Sequence, residues 1–300
     1  MLIVCATPIG NLGDVTLRVL DALKESDLIA AEDTRRTRKL LAHYGIHTPL
    51  VSFHEHNEEA RQEQVLDRLR AGDAVALVSD AGMPLISDPG ARLVGAALAE
   101  GLQVRVLPGA SAPLTALVAS GLAGDGGFRF VGYLPRRRAE LERAWLAWQR
   151  GGGVLVAFES PRRVARSLAV LADLAPSAPA AVCRELTKVH EEVRRGTLAE
   201  LAASYAGTTT DIRGEVTVVV DAGGGSSVGG TDDATLRERA GNLLAKGLSR
   251  RDAATALAVC LGVRRRDAER LVREVAGGMP RGLPMDRSSR PTRKAGRLVD

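Results

Sequence analysis

The sequence predicts an α/β architecture of two domains followed by a small helical appendage. Three observations carry this reading. Short, continuous apolar runs alternate with stretches of helical period through the first part of the chain, the pattern of a mainly parallel sheet with crossover helices. Further on, the runs shorten and lie closer together, as in a mixed sheet. Then a Gly/Ser stretch at 223–232 separates these halves from three short helical patterns.

The elements follow in order. Residues 2–6 form a buried parallel strand ending in Thr7-Pro8-Ile9-Gly10-Asn11, a run of turn formers. The next helix carries Leu17, Leu20 and Leu23 on one face. A short strand at 28–31 precedes a helix capped by Asp33 or Thr34 and ended by Gly45. A third helix spans 57–71, and 74–79 is again a buried strand. Its loop, 80–90, is dense in Gly, Pro and Ser. A helix at 91–100 and a strand at 103–107 then lead to Pro108-Gly109-Ala110-Ser111-Ala112.

Residues 119–127 are the expected linker between domains 1–118 and 119–222. In the second domain, strands at 128–132 and 154–158 flank an amphipathic helix with Trp145 and Trp148. Ser160 is expected to cap a helix carrying Val164, Leu168 and Leu171. Strands at 180–184, 191–196 and 215–221 complete it. The appendage, 233–277, reads as three helices, the middle one capped by Ser249 and ended by Gly262. The tail, 278–300, is expected to be disordered; between Arg281 and Arg297 it has six basic residues against Asp286 alone.

Composition narrows the function. Of the 300 residues, 45% are apolar, enough for a sizeable core, and only 3% are aromatic, which argues against binding nucleic acid on many stacking platforms. A net charge of +5 suits either a basic enzyme rich in Arg or a polyanionic partner. Cys5, Cys183 and Cys260 are distant, odd in number and set in apolar runs, so buried free thiols are expected rather than a disulfide framework or a zinc site. The first ten residues lack the basic start and the length of a signal peptide, and no run suits a membrane span; a cytoplasmic protein is expected. There is no G-x-G-x-x-G after the first strand and no P-loop. His54 and His56 have no evident third ligand and read as surface-loop histidines; no metal site is expected.

What remains is where the loops fall. Two strand-end loops, 80–90 and 108–112, are rich in residues that let a ligand approach backbone groups closely, and open α/β sheets bind ligands at the carboxyl ends of their strands. A charged run, Glu32-Asp33-Thr34-Arg35-Arg36-Thr37-Arg38-Lys39, opens a helix, where the acids suit the positive end of the dipole. With Arg136, Arg137, Arg138, Arg162 and Arg163, the arginines Arg35 and Arg36 suit phosphate contacts.

The motifs resemble a known family. Ala6-Thr7-Pro8-Ile9-Gly10-Asn11-Leu12-Gly13-Asp14-Val15-Thr16, Ala31-Glu32-Asp33-Thr34-Arg35, Ser79-Asp80-Ala81-Gly82-Met83-Pro84-Leu85-Ile86-Ser87-Asp88-Pro89-Gly90 and Leu107-Pro108-Gly109-Ala110-Ser111-Ala112 follow one another in its order. So do Gly132-Tyr133-Leu134-Pro135, Glu159-Ser160-Pro161-Arg162-Arg163, Arg184-Glu185-Leu186-Thr187-Lys188 and Gly214-Glu215-Val216-Thr217. Over roughly residues 2–221 the chain resembles the RsmI family, the small-subunit ribosomal RNA cytidine 2′-O-methyltransferases of the tetrapyrrole-methylase superfamily.

The resemblance implies a two-domain tetrapyrrole-methylase-like fold, S-adenosyl-L-methionine in the interdomain cleft, 16S rRNA as substrate and a homodimer. It assigns cofactor contacts to Pro8, Ala81, Gly82, Met83, Ile86, Ser111, Ala112, Glu159, Leu186 and Thr187. Family members often carry Thr where Met83 stands. Porphyrin and corrin methylases open instead with a Gly-Ala-Gly-Pro-Gly-Asp type of loop.

A ribose hydroxyl attacks a methyl group well only as its proton leaves, so a general base is expected. Glu32, Asp33 and Glu159 are the candidates, with Arg35 or Lys188 to stabilise developing negative charge. The alternatives are a methylase of a small tetrapyrrole and a non-catalytic nucleic-acid-binding protein that uses the helical appendage. The opening loop and the arginines favour RNA over tetrapyrrole, and the paired pocket loops favour an enzyme over a binding module.

Overall fold

In the computed structural model, residues 1–124, 127–206, 213–223, 233–261 and 265–278 are described. Residues 1–225 form one compact unit and residues 226–300 another.

The first unit holds two five-stranded sheets. The first is all parallel, in the order β3-β2-β4-β1-β5, from β1 (Leu2–Cys5), β2 (Leu28–Ala31), β3 (Leu50–Ser52), β4 (Val75–Val78) and β5 (Val104–Leu107). Strands β1, β2 and β4 are buried at every position, as their unbroken apolar runs require of a sheet covered on both faces. One face packs on α1 (Leu17–Glu25) and α2 (Thr34–His43) around Leu23, Ile29 and Leu41. The other packs on α3 (Glu58–Arg70) and α4 (Ala91–Ala99) around Leu66, Leu77 and Leu93. Neighbours β1 and β4 therefore send their chains to opposite faces. That makes their carboxyl ends the switch point where such sheets bind ligands.

The second sheet is mixed, in the order β6-β7-β10-β8-β9, from β6 (Phe128–Tyr133), β7 (Val154–Glu159), β8 (Pro179–Arg184), β9 (Glu192–Thr197) and β10 (Val216–Asp221). Strands β6 and β7 run parallel, and the other pairs are antiparallel. Helices α6 (Arg138–Gly151), α7 (Val164–Leu174) and α8 (Leu198–Tyr205) cover one face around Trp145, Leu168 and Leu198. Helix α5 (Ala112–Ser120) covers the other, with Ala116 and Leu117 packed beside Ile9 of the first loop. The second unit is three helices, α9 (Asp233–Ala245), α10 (Arg250–Leu261) and α11 (Arg265–Gly278), around Ala240, Leu257 and Leu271. Ser249 caps α10 through the Asp252 N–H, as expected.

Several expectations need correction. Helix α5, residues 112–120, was not foreseen: it joins the end of the 108–112 loop to the start of the expected linker, and the segment is apolar nearly all round, so no helical period shows. Strand β3 and helix α8 were not foreseen, although Thr197 and Glu200 form a capping box that marks the start of α8. Helix α7 begins at Val164, not at Ser160, whose hydroxyl instead accepts from Arg162 N in the preceding turn. His56 is exposed, as expected of a surface-loop histidine, but His54 is half-buried. Phe53 is drawn into the core beside β2, and His54 follows it with a buried Nδ1 that has no hydrogen-bond partner. Cys5 and Cys183 are buried free thiols, as expected, and burial pushes them up to about 12 and about 11. The Cys260 side chain, Gly262, linker residues 224–232 and tail residues 279–300 lie outside the described residues.

Candidate active site

The switch point is closed by a backbone pair. Thr7 N donates to Gly82 O at 2.8 Å, and Gly82 N donates to Thr7 O at 2.9 Å. The Thr7 hydroxyl donates to Ser79 O at 3.1 Å. The loops after β1 and β4 are thereby held as one layer. Gly82 adopts φ +84°, the left-handed region that favours glycine. A Cβ there would stand 3.4 Å from Ile9 Cγ2 and 3.7 Å from Ala110 O, filling the space where three loops converge. Gly109 lies so close to β1 that its Cβ would be 2.8 Å from Ala6 Cβ.

Beside this layer stand four carboxylates. Asp80 N donates to Glu32 at 3.0 Å, Asp33 N donates to Asp80 at 2.9 Å, and Arg36 pairs with Asp80 at 3.4 Å. Burial raises the Glu32 carboxyl, against the opposing Asp80 N–H. Asp33 caps α2 and chelates Arg35, which holds it well below the usual carboxylate range. Asp88 is pushed up to about 7, by burial first and then by the Glu32 charge, with a hydrogen bond from Ser79 opposing.

The second sheet contributes the loop after β8. Lys188 pairs with Glu185 at 2.7 Å and Glu215 at 3.2 Å. Burial pulls its ammonium down, but the two carboxylates more than offset this and the net shift is upward. Glu185 and Thr187 both have positive φ, strain that the surrounding contacts hold in place. The Thr187 hydroxyl accepts from Asn11 N at 3.2 Å. A Cβ on Gly10 would run into Lys188 Cγ and stand 3.0 Å from Leu186 O. The first loop thus lies directly against the second sheet. Between them opens a cavity of about 440 Å³, lined by Pro8, Leu12, Arg36, Lys39, Asp80 and Lys188 among others.

Of the residues expected at a cofactor, Pro8 and Ala81 line this cavity. Gly82 is itself one half of the Thr7–Gly82 pair, Ser111 stands just before α5, and Ala112 and Leu186 share a core with Ile9. Met83 leans on the core beneath α3 and α4, and Ile86 is exposed. The Glu159 side chain is fully buried; it accepts from Ser160 N, both arms of Arg163 and the Ser167 hydroxyl. Arg163 also donates to Leu134 O, so it braces β7 against α7.

Arg35, Arg136, Arg137 and Arg162 are exposed, Arg36 is paired with Asp80, and Arg138 is held by Glu142 and Asp173. Glu32, Asp33 and Arg35 gather at the start of α2 but do not line the cavity, whereas Asp80 does. Sequence reasoning did not single out Asp80, Asp88 or Lys39. The first two lie inside a motif read as loop backbone, and Lys39 had only its place in a charged run to mark it. Among the described residues no group of three His, Cys, Asp or Glu is placed to hold a metal, and no helix is long and apolar enough to cross a membrane.

A mixed sheet beside a parallel one, with small-residue loops at the switch point, is an α/β frame with a candidate ligand site, and the comparisons give its class. Residues 1–202 match the family model of the Tetrapyrrole (Corrin/Porphyrin) Methylases. Among solved structures, diphthine synthase aligns with a TM-score of 0.58 at 16% identity, over 73% of this chain and 90% of that one. Uroporphyrin-III C-methyl transferase from Thermus thermophilus, complexed with S-adenyl homocysteine, aligns at 0.52 and 21%, over 73% and 96%. At these identities the likeness is one of fold.

Sequence relatives are much nearer. Ribosomal RNA small subunit methyltransferase I of Halalkalibacterium halodurans is 48% identical over 219 residues, 73% of this chain and 75% of that protein. The protein of the same name from Bacillus subtilis is 41% identical over 265 residues, 87% and 90%. The chain belongs to the ribosomal RNA small subunit methyltransferase I family.

Proposed function

We propose that this protein uses S-adenosyl-L-methionine to methylate the ribose 2′-hydroxyl of a cytidine in 16S rRNA of the small ribosomal subunit, acting in the cytoplasm as a homodimer. The observation that carries this reading is identity above 40% across both sheets to proteins named for small-subunit ribosomal RNA methylation. The tetrapyrrole alternative corresponds to the superfamily alone, and the opening loop Thr7-Pro8-Ile9-Gly10-Asn11 departs from the porphyrin-methylase pattern.

The residues present fit the cofactor. Ala81, Gly82, Ala110, Ser111 and Ala112 converge with little side-chain bulk, and a Cβ on Gly82 would fill the gap. Pro8, Ala81, Gly82, Met83, Ile86, Ser111, Ala112, Leu186 and Thr187 would hold it, with Glu159 fixing the end of β7 nearby. When bound, S-adenosyl-L-methionine supplies a methyl group already activated on a sulfonium, which leaves the protein mainly to align the acceptor. The Thr7–Gly82 pair and the Asn11–Thr187 bond fix the first loop for this.

Proton acceptance falls to the carboxylates at the ends of β2 and β4. Glu32 is favoured over Asp33, whose charge is committed to Arg35, and it would act together with Asp80, which lines the cavity and donates its N–H to Glu32. Exposed Arg35, Arg136, Arg137 and Arg162, with Arg36 and Arg138, provide phosphate contacts. Arg163 adds to these only where its brace leaves it free. The test is incubation of purified protein with methyl-labelled cofactor and unmethylated small subunits. The expected product after nuclease digestion is 2′-O-methylcytidine. Label on a base, or none, rejects the reading.

A further inference from the structure

The cavity between the first loop and the loop after β8 is larger than the cofactor residues account for, and only Pro8 and Ala81 belong to both. Its lining divides by chemistry. Ile9, Leu12 and Leu40 form an aliphatic floor, and Leu12 is 37% exposed at the mouth, its carbonyl tied down by Tyr44. Arg36, Lys39 and Lys188 form a rim of three cations. The two carboxylates of the lining are already paired: Asp80 with Arg36, and Glu215 with Lys188. Lys39 has no carboxylate partner among the described residues and is exposed, which leaves one positive charge at the rim uncompensated. A volume of about 440 Å³ lies within the usual range for a site that takes a small molecule.

An aliphatic floor beneath an unpaired ammonium suits a ligand with one flat, weakly polar part and one anionic part. A nucleotide has both. Resting on the function proposed above, we infer that this cavity receives a single extruded RNA nucleotide, its base or sugar on Leu12 and Leu40 and its phosphate on Lys39, assisted by Arg36. Pro8 and Ala81 are then the wall shared with the cofactor, so the acceptor ribose comes to lie beside the methyl donor. No aromatic side chain lines the cavity, so recognition here rests on the phosphate rather than on base stacking. Lys188, held by two carboxylates, shapes the far wall.

The probes are cytidine 5′-monophosphate and cytidine, each titrated into full-length protein saturated with S-adenosylhomocysteine. The nucleotide is expected to bind at least tenfold tighter than the nucleoside. Lys39→Ala is expected to erase that difference, and Leu12→Asp to weaken both ligands severalfold. On small subunits, Lys39→Ala should raise KM about tenfold and reduce the salt slope of binding by about one unit. Arg105→Ala, on edge strand β5 away from the cavity, should change neither. Equal binding of nucleotide and nucleoside, no binding of the nucleotide, or a Lys39→Ala protein with unchanged KM and salt slope overturns the inference. Wild-type methylation of small subunits is measured alongside. Its absence would reject the proposed function, and its presence with an indifferent Lys39→Ala would reject this inference alone.

Discussion

Glu159 is the residue whose replacement separates architecture from cofactor contact most cleanly. Its side chain is fully buried at the end of β7, and its two oxygens accept from Ser160 N at 2.6 Å, from Arg163 Nε at 2.7 Å and Nη2, and from the Ser167 hydroxyl. Glu159→Gln keeps the shape and one acceptor oxygen but removes the charge. The amide can still meet Ser167, because a hydroxyl both donates and accepts. Arg163, only about a quarter exposed, would then face a neutral partner. Removing one member of a buried pair costs about 3–5 kcal/mol, and Gln, which preserves part of the hydrogen bonding, should cost about 2–3 kcal/mol.

The assay is urea denaturation followed by tryptophan fluorescence. It reports locally, because Trp145 and Trp148, the protein's only two tryptophans, sit in the core shared with α7. Arg163→Ala alone should destabilise comparably, and the double variant should fall well short of the sum. S-adenosylhomocysteine affinity of Glu159→Gln, measured where it is folded, should change less than threefold. A loss below 1 kcal/mol, additive with Arg163→Ala and accompanied by a large loss of affinity, would refute the bracing role and place Glu159 on the cofactor.

Three further outcomes are expected. Gly10→Ala drives a methyl into Lys188 Cγ and Leu186 O; it should cost about 1–3 kcal/mol and weaken S-adenosylhomocysteine binding in calorimetry. Asp88 has a folded pKa of about 7 against an ordinary 3.8, so its stabilising contribution is complete below about pH 4 and is lost as pH rises through 7, under the charges of Glu32 and Asp80 with Tyr133 of β6 also facing it. The full shift corresponds to at most about 4 kcal/mol, cut to roughly half by solvent screening. Asp88→Asn should therefore be more stable than wild type at pH 8 and equal to it at pH 4, by thermal melts across pH. Truncation after Gly225 should leave S-adenosylhomocysteine affinity intact, because residues 1–225 are compact in themselves, and should raise KM for small subunits severalfold by removing a tethered basic module.

Much of the fold was legible because its signals are local. Buried runs such as 2–6 and 74–79 announce parallel strands, and the Gly/Pro loops that follow them announce the switch point. The failures have physical causes. Helix α5 packs Ala116 and Leu117 beside Ile9 and the second sheet but also carries apolar Leu114 and Val118 where it is exposed, so it shows no helical period. Strand β3 has three residues and half-buried side chains, too short to show alternation. In the site, the glycines and the loops could be read from residue types. The raised Asp88 could not, since it depends on Glu32 from a distant part of the chain. The brace at Glu159 joins neighbours in sequence, Ser160, Arg163 and Ser167, but needs the strand-to-helix turn that brings them together. Lys39 is marked only by which carboxylates the fold leaves out of its reach.

The most direct test of the proposed activity is mass-spectrometric mapping of small-subunit ribosomal RNA from cells with and without this protein. One cytidine ribose should carry a methyl group in the first sample and none in the second. Identical ribose methylation in both, or a difference confined to a base, would contradict it.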